Sequence, residues 1–208
     1  MKKDMNRISC LFLDIGGVLL SNGWDHKFRQ RAAEHFHLDT DKMAELHSLV
    51  IDKFEKGRIT LDEYLDTVVF YTKRDFTRNE FKDFMYSLST PDLEMIDLIK
   101  KIKSKYALKV IAVSNESREI NAYRIKTFKL DEIFDFYVSS CFVHLRKPDA
   151  AIYQLAIDGA QVPINKIVSI DDVQEFVDIA RGFGIKSICH SDYLSTTKAL
   201  ADLGLTLK

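Results

Sequence analysis

The sequence predicts an α/β protein, a parallel sheet wrapped by helices, with a small all-helical block inserted after the first strand. Three observations carry that reading. Five short apolar runs have the length and composition of buried strands: 8–13, 108–113, 136–139, 167–170 and 186–189. Helix-patterned segments separate the later four, and strand–helix alternation implies parallel pairing with right-handed crossovers. The stretch 21–89 breaks that rhythm, because it is polar, helical in pattern and has no good strand. The expected division is 1–20 with 90–208 as the α/β core and 21–89 as a helical cap.

In chain order, the first strand ends at Asp14 and two glycines follow. Inside the insert, 26–36, 40–54, 61–71 and 79–85 read as amphipathic helices, and Thr60-Leu61-Asp62-Glu63 fits a capping box. Phe28, Phe36, Phe54, Tyr64 and Phe70 are expected to form the insert's own core. Thr90-Pro91 reads as the start of the next helix, Thr as N-cap and Pro at the first helical position, sending Leu93, Ile96, Leu98, Ile99 and Ile102 inward. Further helices are expected from after Asn115 to about Phe128, from Asp149 to Gly159, and from Val173 to Arg181. The last should stop at Gly182-Phe183-Gly184 through a glycine cap.

Composition removes several function classes. The 208 residues carry 30 basic and 31 acidic side chains, a net charge of −1, so no clustered basic excess marks a nucleic-acid binder. The run Lys100, Lys101, Lys103, Lys105 reads as a solvated helix end, with an anion surface as the alternative. Lys2 and Lys3 before Cys10-Leu11-Phe12-Leu13 imitate a signal peptide, but Asp14 interrupts the apolar run. No stretch is long enough to span a bilayer. Cys10, Cys141 and Cys189 lie far apart and are odd in number, which argues against a disulfide framework and for a reducing cytoplasm. The histidines form no cluster with ligand spacing: His35 and His37 face different sides of a helix, and His47, His144 and His190 read as structural.

Four segments fall at the C-terminal ends of expected strands, where open parallel sheets bind ligands. Phe12-Leu13-Asp14-Ile15-Gly16-Gly17-Val18-Leu19 puts a carboxylate on a tight turn. Val113-Ser114-Asn115 offers a hydroxyl and helix-start N–H groups suited to phosphate. Arg146-Lys147-Pro148-Asp149 supplies a cation on a rigid turn, and Ile170-Asp171-Asp172 places two acids together, which repel unless a cation lies between them. Singly, each has a structural reading as turn aspartate, N-cap, surface lysine or cap. Together they make a complete Mg²⁺ phosphoryl-transfer set.

Those four motifs, in that order, resemble the haloacid dehalogenase superfamily, in its phosphatase-like branch with a helical cap. The resemblance implies a Rossmann-like core and a function as a Mg²⁺-dependent phosphatase of a small phosphorylated metabolite. Asp14 is implied as the nucleophile that forms an aspartyl-phosphate. Ser114 and Asn115, through hydroxyl and backbone amides, with Lys147, would hold the phosphate, and Lys147 would also balance the charge of Asp14. Asp14, the carbonyl of Gly16 and Asp172 would hold the metal, with Asp171 beside them. The sequence departs from the family at Gly16, where its phosphatases usually carry the general acid, and at Phe176, where related branches often have a polar residue. The segment Asn22-Gly23-Trp24-Asp25-His26 offers substitute acids, and a substituted Gly16 is tolerated only if its backbone is ordinary. Two alternatives stay open: a 2-haloacid dehalogenase-type hydrolase, in which Asp14 attacks carbon without Mg²⁺, and a weakly active or inactive phospholigand-binding protein. A monomer or weak homodimer without nucleic-acid or membrane partners is expected.

Overall fold

A computed structural model describes residues 7–207; Lys2 and Lys3 lie outside them. Five strands form one fully parallel sheet: β1 (Cys10–Leu13), β2 (Lys109–Ser114), β3 (Phe136–Ser139), β4 (Ile167–Asp171) and β5 (Lys186–Cys189), in the order β3-β2-β1-β4-β5. All five expected strands are present, shifted by two residues at most. Alternation along β1 sends Leu11 and Leu13 to one face and Cys10 and Phe12 to the other, and all four are buried. The first face packs on α5 (Leu93–Tyr106) and α10 (Tyr193–Asp202). The second packs on α8 (Ala150–Ala160) and α9 (Gln174–Gly182). A sheet buried on both faces explains why its strands read as continuous apolar runs.

The insert forms α1 (His26–His35), α2 (Thr40–Glu55), α3 (Leu61–Val68) and α4 (Arg78–Ser87). Both bonds of the Thr60–Glu63 capping box form. A second box, Thr77–Glu80, starts α4 and extends it beyond the expected range. The third helix is shorter than expected: it stops at Val68, and Arg74 Nε donates to the Val69 carbonyl, closing the chain over its end. Phe36, Phe54, Tyr64 and Phe70 share a core with Ile120 from α6 (Arg118–Thr127). Phe28 stays outside that core, half-buried under the Arg31 guanidinium.

The Thr90-Pro91 start is corrected. Pro91 pairs with Leu20 in an antiparallel bridge, and Asp92 caps α5 by accepting from the Met95 N–H. The phase of the helix moves with the cap, so Leu93 is 71% exposed while Met95 takes the inward position. The glycine cap of α9 is present as a Schellman motif: Ile185 N–H bonds to Ala180 O, Gly184 N–H bonds to Arg181 O, and Gly184 has φ +84°. The short α7 (Ser140–Val143) lies between β3 and α8.

The segments entering and leaving the insert run side by side. Ser21 N–H donates to Thr90 O, and the Ser21 hydroxyl donates to Leu88 O. Arg124, 1% exposed, pins both: Nε donates to the Ser89 hydroxyl and Nη2 to the Ser21 carbonyl. Its charge is met by buried Glu116 at 2.6 Å. Burial pushes Glu116 up against the pull of Arg124. No helix among the described residues is long and apolar enough to cross a membrane.

Candidate active site

Sheet order places the site. The chain runs outward from β1 through β2 to β3, then crosses back to β4 beside β1, so the crevice lies between strands 1 and 4 at their C-terminal ends. Register does the rest. Leu13 pairs with Ile170, so Asp14 and Asp171 follow as neighbours on adjacent strands, and Asp14 N–H bonds to Ile170 O. Ser114 ends β2 on the other flank of β1, and its hydroxyl donates to Asp14 Oδ1 at 2.5 Å. The Ile15 N–H donates to the same oxygen at 2.7 Å.

Lys147 is 1% exposed and reaches into this cluster from the turn before α8. Its ammonium donates to Asp14 Oδ2 at 2.9 Å and to Asp171 Oδ2 at 2.6 Å. Burial alone would lower the Lys147 pKa, but the charges of Asp14 and Asp171 outweigh it and hold the amine above its ordinary value. Asp171 is pushed up by burial, then by the charge of Asp14, with Lys147 pulling against both. Asn115 clamps the lysine's backbone in two directions, donating from Nδ2 to Lys147 O and accepting from Lys147 N–H. Its side-chain amide is thus engaged with the Lys147 backbone while the residue still lines the cavity. Phe176 lies under the ammonium, with Nζ 4.8 Å from the ring centroid, so the departure noted at that position is a cation–π support.

Asp172 completes the acidic group. Burial raises its pKa, and Asn22 donates to its Oδ2 at 2.9 Å. Oxygens of Asp14, Asp171 and Asp172 all lie within 4.8 Å of one another. Three clustered carboxylates and one ammonium leave negative charge in excess, and an all-oxygen donor set suits a hard divalent cation such as Mg²⁺. The two glycines have different duties. Gly17 has φ +72°, and a Cβ there would lie 2.1 Å from Asp172 Oδ2, so it must be glycine for that carboxylate to approach. Gly16 has no such backbone, and a Cβ there would meet Asn22 Oδ1 at 3.2 Å.

Above this floor lies a cavity of about 380 Å³. Its roof comes from the insert and includes Trp24, Arg29, His47, Phe54 and Glu55, with Arg146 from the core at the side. His26 lines the entrance and is exposed. Asp25 also lines it, but Oδ1 is spent on capping α1 through the Phe28 N–H. The sequence reading named Asp14, Gly16, Ser114, Asn115, Lys147, Asp171 and Asp172, and the structure brings all seven to one place. It missed Arg29, the Arg124–Glu116 pair and the part His47 takes in the wall. His47 is buried as expected, yet it also lines the cavity. His144 instead bonds Lys56 O, and His190 bonds Thr196.

Comparison with known proteins places this geometry. The family model described as haloacid dehalogenase-like hydrolase matches residues 8–184. A drimenol cyclase of Aspergillus calidoustus is 25% identical over 199 residues, 87% of this chain but 34% of its own. A phosphorylated carbohydrates phosphatase of Thermotoga maritima is 31% identical over 114 residues, covering 53% of this chain and 50% of its own. The chain thus spans half or less of either relative's length. Among solved structures, a HAD family enzyme of Bacteroides thetaiotaomicron superposes with a TM-score of 0.76 at 22% identity, covering 89% of this chain and 94% of that one. A further structure of that enzyme is a complex with magnesium and inorganic phosphate. An L-2-haloacid dehalogenase shares the fold at a TM-score of 0.62 and 17% identity, with 87% and 85% coverage.

Proposed function

The chain belongs to the haloacid dehalogenase-like hydrolases, and on that premise we propose that it is a Mg²⁺-dependent phosphatase acting on a small phosphorylated metabolite. One observation carries the choice within the family: Asp14, Asp171 and Asp172 offer oxygens within 4.8 Å of one another around a buried lysine. Attack of Asp14 on carbon, as in a dehalogenase, needs no cation to hold three carboxylates together. Phosphoryl transfer does, because a cation held by them offsets the charge of nucleophile and phosphate together.

In this reading one oxygen of Asp14 attacks phosphorus as the ester oxygen departs, leaving an aspartyl-phosphate that water then hydrolyses. The N–H groups following Ser114, and its hydroxyl once turned from Asp14 Oδ1, hold phosphoryl oxygens. Lys147, locked by Asn115 and resting on Phe176, neutralises charge without moving. Asp14, Asp172 and the Gly16 carbonyl would hold Mg²⁺, with Asp171 beside them holding Lys147. The ion supplies charge stabilisation to the transferring phosphoryl group. The insert over the site acts as a cap covering 21–89. The three free thiols fit a cytoplasmic location, and a monomer or weak homodimer is the expected state.

Gly16 leaves the leaving group without the usual proton donor, so substrates with acidic leaving groups should turn over best. An aryl phosphate assayed with and without Mg²⁺ tests the reading. Turnover that requires Mg²⁺ supports it. Halide release from a 2-haloacid without metal, or phosphate binding with no turnover, would replace it by one of the two alternatives.

A further inference from the structure

Three arginines line the cavity, and two of them are matched by buried or half-buried acids: Arg124 by Glu116 at 2.6 Å and Arg146 by Glu55 at 2.8 Å. Arg29 is different. It forms no ion pair with a carboxylate among the described residues, and its hydrogen bond runs from Nη1 to the Trp24 carbonyl at 2.6 Å. Asp25, one turn before it, is turned to the start of α1. Arginine cannot shed its proton in a protein, so Arg29 is a cation in a cavity wall with no carboxylate in direct contact among the described residues, offset only at longer range by Asp25 and Glu55. Burial works against its charged form.

His47 adds a polar group whose tautomer is set by its neighbours. The Trp24 indole N–H donates to the Tyr64 hydroxyl at 2.7 Å, and an indole only donates. Donating to its other neighbour, His47 Nδ1 at 2.7 Å, is the arrangement that satisfies the buried Tyr64 hydroxyl proton. With Nδ1 accepting, a neutral His47 carries its proton on Nε2, which has no partner among the described residues. Burial holds the ring neutral, with the pKa lowered to about 3. Arg29 and His47 thus line the same cavity as Asp14, one a cation and the other a neutral ring with an unengaged Nε2.

We propose that Arg29, assisted by His47, is a subsite for an oxyanion on the part of the substrate remote from the transferred phosphoryl group. The substrate is then a small phosphomonoester with a second anionic group, a carboxylate or another phosphate, within a cavity of about 380 Å³. This inference rests on the phosphatase reading, and its test separates the two.

Three probes suffice: 2-phosphoglycolate, which carries a carboxylate, propane-1,3-diyl bisphosphate, which carries a second phosphate, and n-propyl phosphate, which carries neither. Turnover is measured with Mg²⁺ for the native protein, and calorimetric binding for Asp14→Asn. A charge-assisted hydrogen bond predicts at least one anionic probe preferred about 10–100-fold in kcat/KM and in affinity over n-propyl phosphate. The preferred anionic probe identifies the oxyanion. Arg29→Met should erase the preference through KM, and Arg29→Lys should restore part of it. His47→Gln should reduce it less. Melting temperatures of the variants check that each is folded. Equal use of all three probes, or a preference that survives in folded Arg29→Met, overturns the subsite while the phosphatase reading stands. Selective binding with no turnover of any phosphomonoester overturns the phosphatase reading while the subsite stands.

Discussion

On the floor of the cavity the charged side chains are already engaged with one another. Lys147 bridges Asp14 and Asp171, Ser114 holds Asp14, Asn22 holds Asp172, and Asn115 fixes the backbone of the lysine. In the roof, Arg29 holds only a carbonyl and His47 keeps one nitrogen without a partner among the described residues, on helices packed by a mixed aromatic and aliphatic core. The floor is preorganised by strand register, which costs nothing at the moment of reaction. The roof leaves its polar groups for whatever enters. In the proposed function the first region does the chemistry and the second chooses what receives it.

The largest effect that would sharpen this contrast comes from supplying what the floor lacks. Gly16→Asp would, on the proposed function, place a carboxyl beside the leaving oxygen, and Gly16 lacks the positive φ that would forbid a side chain. Asn22 Oδ1, 3.2 Å from the new Cβ, must yield by a few tenths of an ångström. Alkyl phosphates should gain up to about 10⁴-fold, and aryl phosphates less. Equal acceleration of both classes, in a folded variant, would show that proton donation was not the missing element.

The junction between the two regions comes next. Arg124→Met leaves Glu116 buried without its cation and should destabilise the protein by about 3–5 kcal/mol in urea denaturation. Glu116→Gln combined with Arg124→Met should recover much of that loss. If the double variant is as unstable as the single, then the pinning of Ser21 and Ser89, rather than the stranded charge, is what Arg124 contributes.

How far the sequence reveals each region follows from the same contrast. Floor residues sit at strand ends, so position along the chain announces position in space: Asp14, Ser114 and Asp171–Asp172 close apolar runs that could only be buried strands. Lys147 belongs to the floor without ending a strand, and its motif was the signal. The roof has no such rule. Arg29 is one of several cations in a polar helix, and only the packing of α1 on α2 turns it to the cavity. His47 reads as a core histidine, which it is, and its outward nitrogen depends on Trp24 and Tyr64, remote in sequence. Thr90-Pro91 misled because Asp92 is also a good N-cap, and bridging Pro91 to Leu20 favoured the later start. The Thr77–Glu80 box has the same T-x-x-E spacing as Thr60–Glu63 and sets the start of α4.

On the floor itself, Asp172→Ala should weaken Mg²⁺ binding by at least about 10–100-fold, the loss typical of even an outer partner of a metal ligand. Calorimetry reads this directly, and activity should fall with it. Unchanged Mg²⁺ affinity would remove Asp172 from the ligand set.

The smallest effect belongs to the roof. His47 has a folded pKa lowered to about 3, against an unfolded value of 6.5. The neutral ring therefore contributes stability that is fully present above pH 6.5 and is lost as pH falls toward 3, with a slope of up to about 1.4 kcal/mol per pH unit. Comparing urea midpoints of the native protein and His47→Gln across that window should show a shallower acid loss in the variant. Parallel profiles would mean that His47 is not held neutral.

The central claim is that Asp14 itself carries the phosphoryl group, and rapid-quench mass spectrometry of the Asp14 peptide during aryl phosphate turnover tests it most directly. The account predicts one phosphoryl mass on Asp14 in the native protein with Mg²⁺, and none, with no turnover, in folded Asp14→Asn. Steady phosphate release from a protein whose Asp14 never gains that mass, or from the Asn variant, would contradict it.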